Sequence, residues 1–508
     1  MRRLKKVPAA AWLGGGIYAL LSAFGWQAEH WGKSDPAPAL AASLALFIPF
    51  ALLLSLLFSV TDGERRQAKA FRSGLAFALM LLCWLPSFIV HFPGSFAYDV
   101  PFQLEQIASG AYSTHHPLLH TLLLGGCVRL GRLFGSMNAG AALYTALQML
   151  LLAACFTLTC ASLDRQAGSR AARGAAVFFA LYPLNMLMAV NATKDVLFTG
   201  CFVLTFALVR ETLCLGQVRA VRLLIPAALS VLLRNNMAYA LAAFILLLLL
   251  FRQIGPAGLL ALALAVSLLC GSLLARSLGA VSGDVREALS VPIQQVARVS
   301  CLEREKLTDG EKAAIGDVMP EMIWRAYDPA VSDPVKFGFD SAPLRRDPAK
   351  YLSCYLRVLR RCPGCCFDAV LMLDHAFLYP YGRYGVSGYY LQTGITDAVY
   401  TSWGEDRITD ASPTPRLRAA LSWRFGAKGA MQIPLVGWLF NMGLINWTLL
   451  FFSLRSLAMR RGNEALASAL PLLLLGTFLL GPVMAGRYIY PFVCSLPVAA
   501  ARAEKKEG

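Results

Sequence analysis

Asp99 and Glu105 are the only acids between residues 93 and 135, and His115, His116 and His120 follow them closely. Farther along, Lys194 stands beside Asp195, Asn235 and Asn236 follow Arg234, and Tyr488 follows Arg487. A carboxylate can take a proton from an attacking hydroxyl, and fixed cations can hold the charge of a departing anion. Histidines can orient such groups or ligate a metal. Each residue also has an ordinary structural use. Asp99 suits a helix cap, His116-Pro117 a turn, Lys194-Asp195 a snorkelling cation with an N-capping acid, and Arg487 an interfacial anchor.

Several chemistries are absent from the sequence. No G-x-G-x-x-G follows a strand-like run, and no G-x-x-x-x-G-K-[ST], G-x-S-x-G or H-E-x-x-H occurs. A nucleotide cofactor is therefore not expected. Cys362-Pro363-Gly364-Cys365-Cys366 resembles half of a zinc or redox site, but no second C-x-x-C accompanies it. Cys301, Cys354, Cys362, Cys365 and Cys366 read as local disulfides or idle thiols, with no pairing fixed by spacing.

The elements that position these residues belong to a membrane protein. Hydrophobic residues form 57% and charged residues 15% of the 508 residues, and the mean hydropathy is +0.55. Soluble domains run near 25% charged, so lipid must be the solvent for most of this chain. The net charge of +17 does not mark a nucleic-acid binder. Residues 280–428 hold 18 of the 30 acids and 19 of the 47 bases, so the surplus lies elsewhere, in short loops between apolar runs.

Those runs occupy residues 9–26, 39–60, 73–92, 138–160, 174–192, 196–214, 257–276, 430–455, 465–483 and 487–502. Residues 223–251, interrupted at Arg234, read as two short helices in a hairpin. The expected fold is α-helical and polytopic, with about 12 apolar membrane segments and one extracytoplasmic domain, mixed α/β or mainly α. Basic clusters place both termini and residues 61–72 and 161–173 in the cytoplasm, with residues 93–116 and 280–428 outside. The stretch 117–135 carries His120, Arg129 and Arg132 and reads as an interfacial helix. Domains divide as an N-terminal hairpin (1–72), a membrane core (73–279) with the first outer loop at 93–135, the outer domain (280–428) and C-terminal helices (429–508). Asp99, Lys194, Arg234 and Arg487 all fall on the outer face, which points to a shared pocket.

The layout of a first-loop acid, an interfacial helix, Lys194-Asp195 and Arg487-Tyr488 before Pro491 resembles the GT-C glycosyltransferase superfamily. More narrowly, four strings resemble an uncharacterised family of bacterial multi-pass membrane proteins placed near it. They are Pro93-Gly94 ahead of Asp99, the H-H-P-x-x-H-T string at residues 115–121, P-I-Q-Q-V-A-R at 292–298 and S-D-P-V-K at 332–336. The resemblance implies a bacterial cell-membrane enzyme that transfers a sugar from a polyprenyl-phosphate-linked donor to a cell-envelope acceptor on the outer face. Asp99 and Asp195 match the outer-loop acids, and Arg487 a phosphate-binding position. Tyr98-Asp99-Val100 lacks the adjacent acid pair of many relatives, which leaves a divalent metal open.

On this reading Asp99 and Asp195 are catalytic candidates. Lys194, Arg234, Arg487, Tyr488, His115, His116 and His120 are candidates for holding the donor, and Gln294, Gln295 and Arg298 for recognising the acceptor or for folding the outer domain. The expected partners are the lipid-linked sugar, the envelope acceptor and membrane lipid, with no nucleic acid. Two alternatives stand beside it: a polytopic transporter, which needs ionisable residues at mid-membrane depth, and a non-catalytic envelope assembly protein.

Overall fold

A computed structural model describes residues 7–60, 70–97, 99–216, 220–380, 395, 406–422, 433 and 435–503. Parts of the expected cytoplasmic loops and tails (1–6, 61–69, 217–219, 504–508) and most of the later outer block (381–394, 396–405, 423–432) lie outside the described residues.

The chain opens with a hairpin of α1 (Ala9–Trp31) and α2 (Pro36–Val60). The core follows as α3 (Ser73–Val90), α4 (Val100–Ser109), α5 (Leu118–Leu133), α6 (Met137–Ala167), α7 (Ser169–Leu181), α8 (Pro183–Ala189), α9 (Lys194–Leu215), α10 (Ala220–Leu233), α11 (Asn236–Leu250) and α12 (Ile254–Ser277). The outer block contributes α13 (Ser290–Leu302), α14 (Asp309–Val318), α15 (Glu321–Trp324), α16 (Asp333–Phe337), α17 (Ser341–Arg346), α18 (Pro348–Arg361), α19 (Pro363–Leu378) and α20 (Pro415–Leu421). It is closed by α21 (Met442–Ala458), α22 (Gly462–Phe478) and α23 (Tyr490–Ala500).

Two expectations are corrected. Six helices among the described residues, α1, α2, α3, α6, α9 and α12, are long and apolar enough to cross a membrane, or seven if the bent pair α7–α8 is one span. Twelve such segments are not present there. Apolar run length overcounts crossings because backbone chemistry cuts the runs. Pro183 helps break the 174–192 run into two helices bent by 61°. The 14 and 15 residues of α10 and α11 give only about 21–23 Å each, short of a ~30 Å hydrocarbon core. The final run spends its first turn as a 3-10 helix, leaving 11 residues for α23.

Among its described residues the 280–428 block is not mixed α/β. Its described residues are helical, and β pairing is confined to isolated bridges. A Thr308–Glu311 capping box starts α14, and Ile293, Ala297, Trp324, Val335 and Val358 form part of a local core. Cys301, Cys354, Cys362, Cys365 and Cys366 are all free thiols in it. Burial pushes the Cys362 and Cys365 thiols up to about 11, away from the reactive thiolate.

Close helix crossings assemble the frame. A Cβ on Gly131 of α5 would strike the backbone of Gly140 in α6, so α5 lies directly on that helix. The turn between α1 and α2 is latched to the 280–428 block. Ser34 donates its backbone N–H to Asp368 at 2.8 Å, and Arg298 donates to the Gly32 carbonyl at 2.8 Å.

Candidate functional site

Two loops, the one after α3 and the one before α9, are paired before any side chain reaches the site. Ser95 donates to the Val190 carbonyl at 2.9 Å, and Ala192 donates to the Ser95 carbonyl at 2.8 Å. This bridge sets Asp99, which follows the first loop, beside Lys194 and Asp195, which begin α9. Gly94 makes the approach possible. Its φ of +138° and the nearby Thr145 hydroxyl leave no room for a Cβ.

A buried polar chain braces the same loops. His120 Nδ1 donates to Gln103 Oε1 at 3.1 Å, and the Tyr144 hydroxyl sits between His120 Nε2 at 2.7 Å and Gln148 Oε1 at 3.0 Å. Gln148 Nε2 then donates to the carbonyls of Ala189 and Asn191, both at 3.0 Å. His120 is thus fully engaged in the frame, and burial pushes it down to about 3. Gln103, Tyr144 and Gln148 are absent from the sequence-based candidates. Gln148 left a signal there, as an amide inside an otherwise apolar span.

The charged residues meet at the N-terminal end of α9. Asp99 does not cap α4; its carboxylate turns to cations instead. Lys194 Nζ lies 2.9 Å from Asp99 Oδ2, and the Arg487 fork donates to Oδ2 at 3.2 Å and Oδ1 at 3.4 Å. Arg487 Nε is also 3.6 Å from Asp195 Oδ2. Arg234 pairs with Asp195, and its guanidinium carbon lies 4.2 Å from the centre of the Phe478 ring and 4.7 Å from that of Tyr488. Burial alone would raise the Asp99 carboxyl, but Arg487, Lys194 and His116 hold it well below the usual carboxylate range.

The structure therefore gathers Asp99, Asp195, Lys194, Arg234, Arg487 and Tyr488 in one cluster, with His116 Nδ1 at 3.8 Å from Asp99 Oδ2. His115 is exposed and packs edge-on against His116. The candidates of the 280–428 block lie elsewhere: Gln294 and Gln295 bond within the block, and Arg298 bonds both within it and to the N-terminal hairpin. Gln294 donates to the Asp328 carbonyl, Gln295 to that of Cys366, and Arg298 to the Tyr327 hydroxyl and Gly32.

Three cations face two carboxylates, a formal surplus of one positive charge. That suits an anion. It does not suit a divalent cation, because both carboxylates are already engaged by lysine or arginine. No group of three or more metal-ligating side chains forms among the described residues. Beside the cluster opens a cavity of about 630 Å³ between α10, α11 and α12. His116, Thr114 and Asn235 lie at its polar part, and Val231, Leu264 and Leu268 belong to its apolar walls. At the far end of α9, Arg210 lies 3.4 Å from Glu464 and Arg165 lies 2.7 Å from Glu211, tying α6, α9 and α22 together.

Neither a curated protein nor a solved structure matches the chain. The family of unknown function DUF6020 matches residues 108–507, a span that holds Lys194, Asp195, Arg234 and Arg487 and begins after Asp99. The match covers most of the 508 residues, so this helical, multi-pass membrane chain belongs to that family.

Proposed function

We propose that the protein is a membrane glycosyltransferase of GT-C type. It moves a sugar from a polyprenyl-phosphate-linked donor to a cell-envelope acceptor on the outer face of the bacterial cell membrane, with both chain termini cytoplasmic. The observation that carries this reading is the meeting of Asp99 with Lys194 and Arg487 beside an apolar cavity. Lipid-linked phosphate needs both halves of that arrangement, cations for the headgroup and apolar walls for the chain.

The acceptor hydroxyl attacks the anomeric carbon while the bond from that carbon to the lipid phosphate oxygen breaks. Asp99 takes the hydroxyl proton, and the polyprenyl phosphate leaves with the bonding pair. Lys194 and Arg487 stabilise its charge, Arg487 through a planar fork and Lys194 as a point charge. Asp195 and Arg234 fix Arg487 and the aromatic wall behind it. The ion pairs tying α6, α9 and α22 at the opposite end of α9 favour a one-sided site over a transport path.

The test uses proteoliposomes charged with radiolabelled polyprenyl-phosphate-linked sugars and envelope fractions as acceptor. Wild-type protein should move label from the lipid to the aqueous or envelope phase, and Asp99→Asn should not. Equal transfer with both proteins, or with empty vesicles, would refute the assignment.

A further inference from the structure

The two carboxylates of the cluster are not equivalent. The Asp195 side chain is 1% exposed and engages Arg234 and Arg487, so it has nowhere to go. Asp99 is 22% exposed and engages two cations, Lys194 and Arg487. An anionic ligand arriving there meets cations already taken. If Asp99 stayed in place, two anions would share the same nitrogens at contact distance and repel.

A vacant partner lies next to it. His116 Nδ1 is buried, has no hydrogen-bond partner among the described residues, and sits 3.8 Å from Asp99 Oδ2. That is about 1 Å beyond a hydrogen bond, a gap that a side-chain rotation closes. Burial, reinforced by Lys194, pushes His116 down to about 3, so the ring is neutral near pH 7 and can offer an N–H without adding charge. Phe102 stacks near its face and His115 against its edge, which holds the ring plane.

We infer that Asp99 is a two-position carboxylate. A phosphate-bearing ligand takes Lys194 and Arg487 from it, and Asp99 then accepts a hydrogen bond from His116 Nδ1–H. This rests on the phosphate-donor reading of the site and adds an order of events to it. Without ligand, Asp99 is neutralised by two cations and is a poor base. With the phosphate bound, the same carboxylate is released from them and becomes a better one, beside the bond to be broken.

The experiment measures binding to purified full-length protein in nanodiscs by calorimetry, with farnesyl phosphate as the lipid probe and inorganic phosphate as a second arm. Asp99→Asn should bind farnesyl phosphate about tenfold more tightly than wild type, because the competing anion is gone. His116→Phe should weaken binding in the wild-type background and have no effect on top of Asp99→Asn, a non-additive pair. If Asp99→Asn does not fold, His116→Phe in the wild-type background still tests the idea. Unchanged or weaker binding by folded Asp99→Asn, or additive effects of the two changes, would overturn the exchange. Undiminished binding in both Lys194→Gln and Arg487→Ala would instead overturn the phosphate reading itself. Loss of binding in those two without tightening in Asp99→Asn would sink only the exchange. Equal affinity for inorganic phosphate would assign the site to a free anion and remove the lipid donor.

Discussion

Asp99 and Arg487 are 388 residues apart in the chain, yet the Arg487 fork reaches both oxygens of the Asp99 carboxylate. The contact joins the loop between α3 and α4 to the turn that opens α23. A third element, the start of α9, enters the same contact through Lys194. The consequences below follow from that meeting.

Replacing Asp99 by asparagine keeps shape and removes the proton acceptor. Sugar transfer in proteoliposomes should fall by roughly 10²–10⁴-fold, the range of general base catalysis. Insertion and gel-filtration behaviour should match wild type. A variant with full turnover would return Asp99 to a structural role.

The three cations should separate by readout. Lys194→Gln and Arg487→Lys each lose charge-assisted hydrogen bonds worth about 1.5–3 kcal/mol, so farnesyl phosphate affinity should drop roughly 10- to 100-fold. Arg234 is enclosed by Asp195, Phe478 and Tyr488. Arg234→Lys should therefore lower thermal stability more than it lowers affinity. The reverse pattern, measured on the same preparations, would exchange the two roles.

Acid should destabilise the fold through its histidines before its carboxylates. His116 and His120 are held near 3 in the folded state against about 6.5 when unfolded, so between those values the unfolded chain binds more protons. Stability is then full above pH 6.5 and falls as the pH drops below it. From pH 7 to pH 5 each buried histidine costs about 2 kcal/mol. Asp99 works in the same sense but at lower pH: its folded value is depressed, so its contribution is intact at pH 5 and is lost only as the pH falls through the carboxylate range. Melting curves at pH 5 and 7 check this, and His120→Gln should flatten the difference. A pH-independent melting temperature would contradict neutral burial.

Gly94→Ala should damage the site from a distance. The residue has φ +138°, and a Cβ there meets the Thr145 hydroxyl, the Phe96 ring and the Val190 carbonyl. The expected loss is about 1–3 kcal/mol of stability, accompanied by a fall in turnover as the 95–191 bridge shifts. Thr145→Ala clears part of the space and should restore some of both. No rescue would place the strain elsewhere.

Much of the site was readable because membranes make charge conspicuous. Lys194, Arg234 and Arg487 stood out as cations in short outer loops, where topology favours few. The frame around them was less visible. Gln103 and Tyr144 look like ordinary helix residues until His120 is seen turned inward between them. The backbone bridge of Ser95 with Asn191 has no side-chain signature at all. Arg298 reads as a candidate for recognising an acceptor or for folding the 280–428 block, with nothing in the sequence to show that its guanidinium donates to Gly32 of the N-terminal hairpin. Run length misjudged the crossings for a related reason. Hydropathy records how apolar a stretch is, and not where Pro183 or a 3-10 turn interrupts it.

The latch between Ser34 and Asp368 spans 334 residues of sequence, and that between Gly32 and Arg298 spans 266. During synthesis the hairpin is made first and its partner late. At about 5–20 residues per second, Ser34 waits on the order of 20–70 s before Asp368 exists. Until then the Ser34 N–H lacks its Asp368 partner, while Asp35 is already held within the hairpin by Gln27. The hairpin is built long before it is secured, so a ribosome stalled before residue 298 leaves it without either latch.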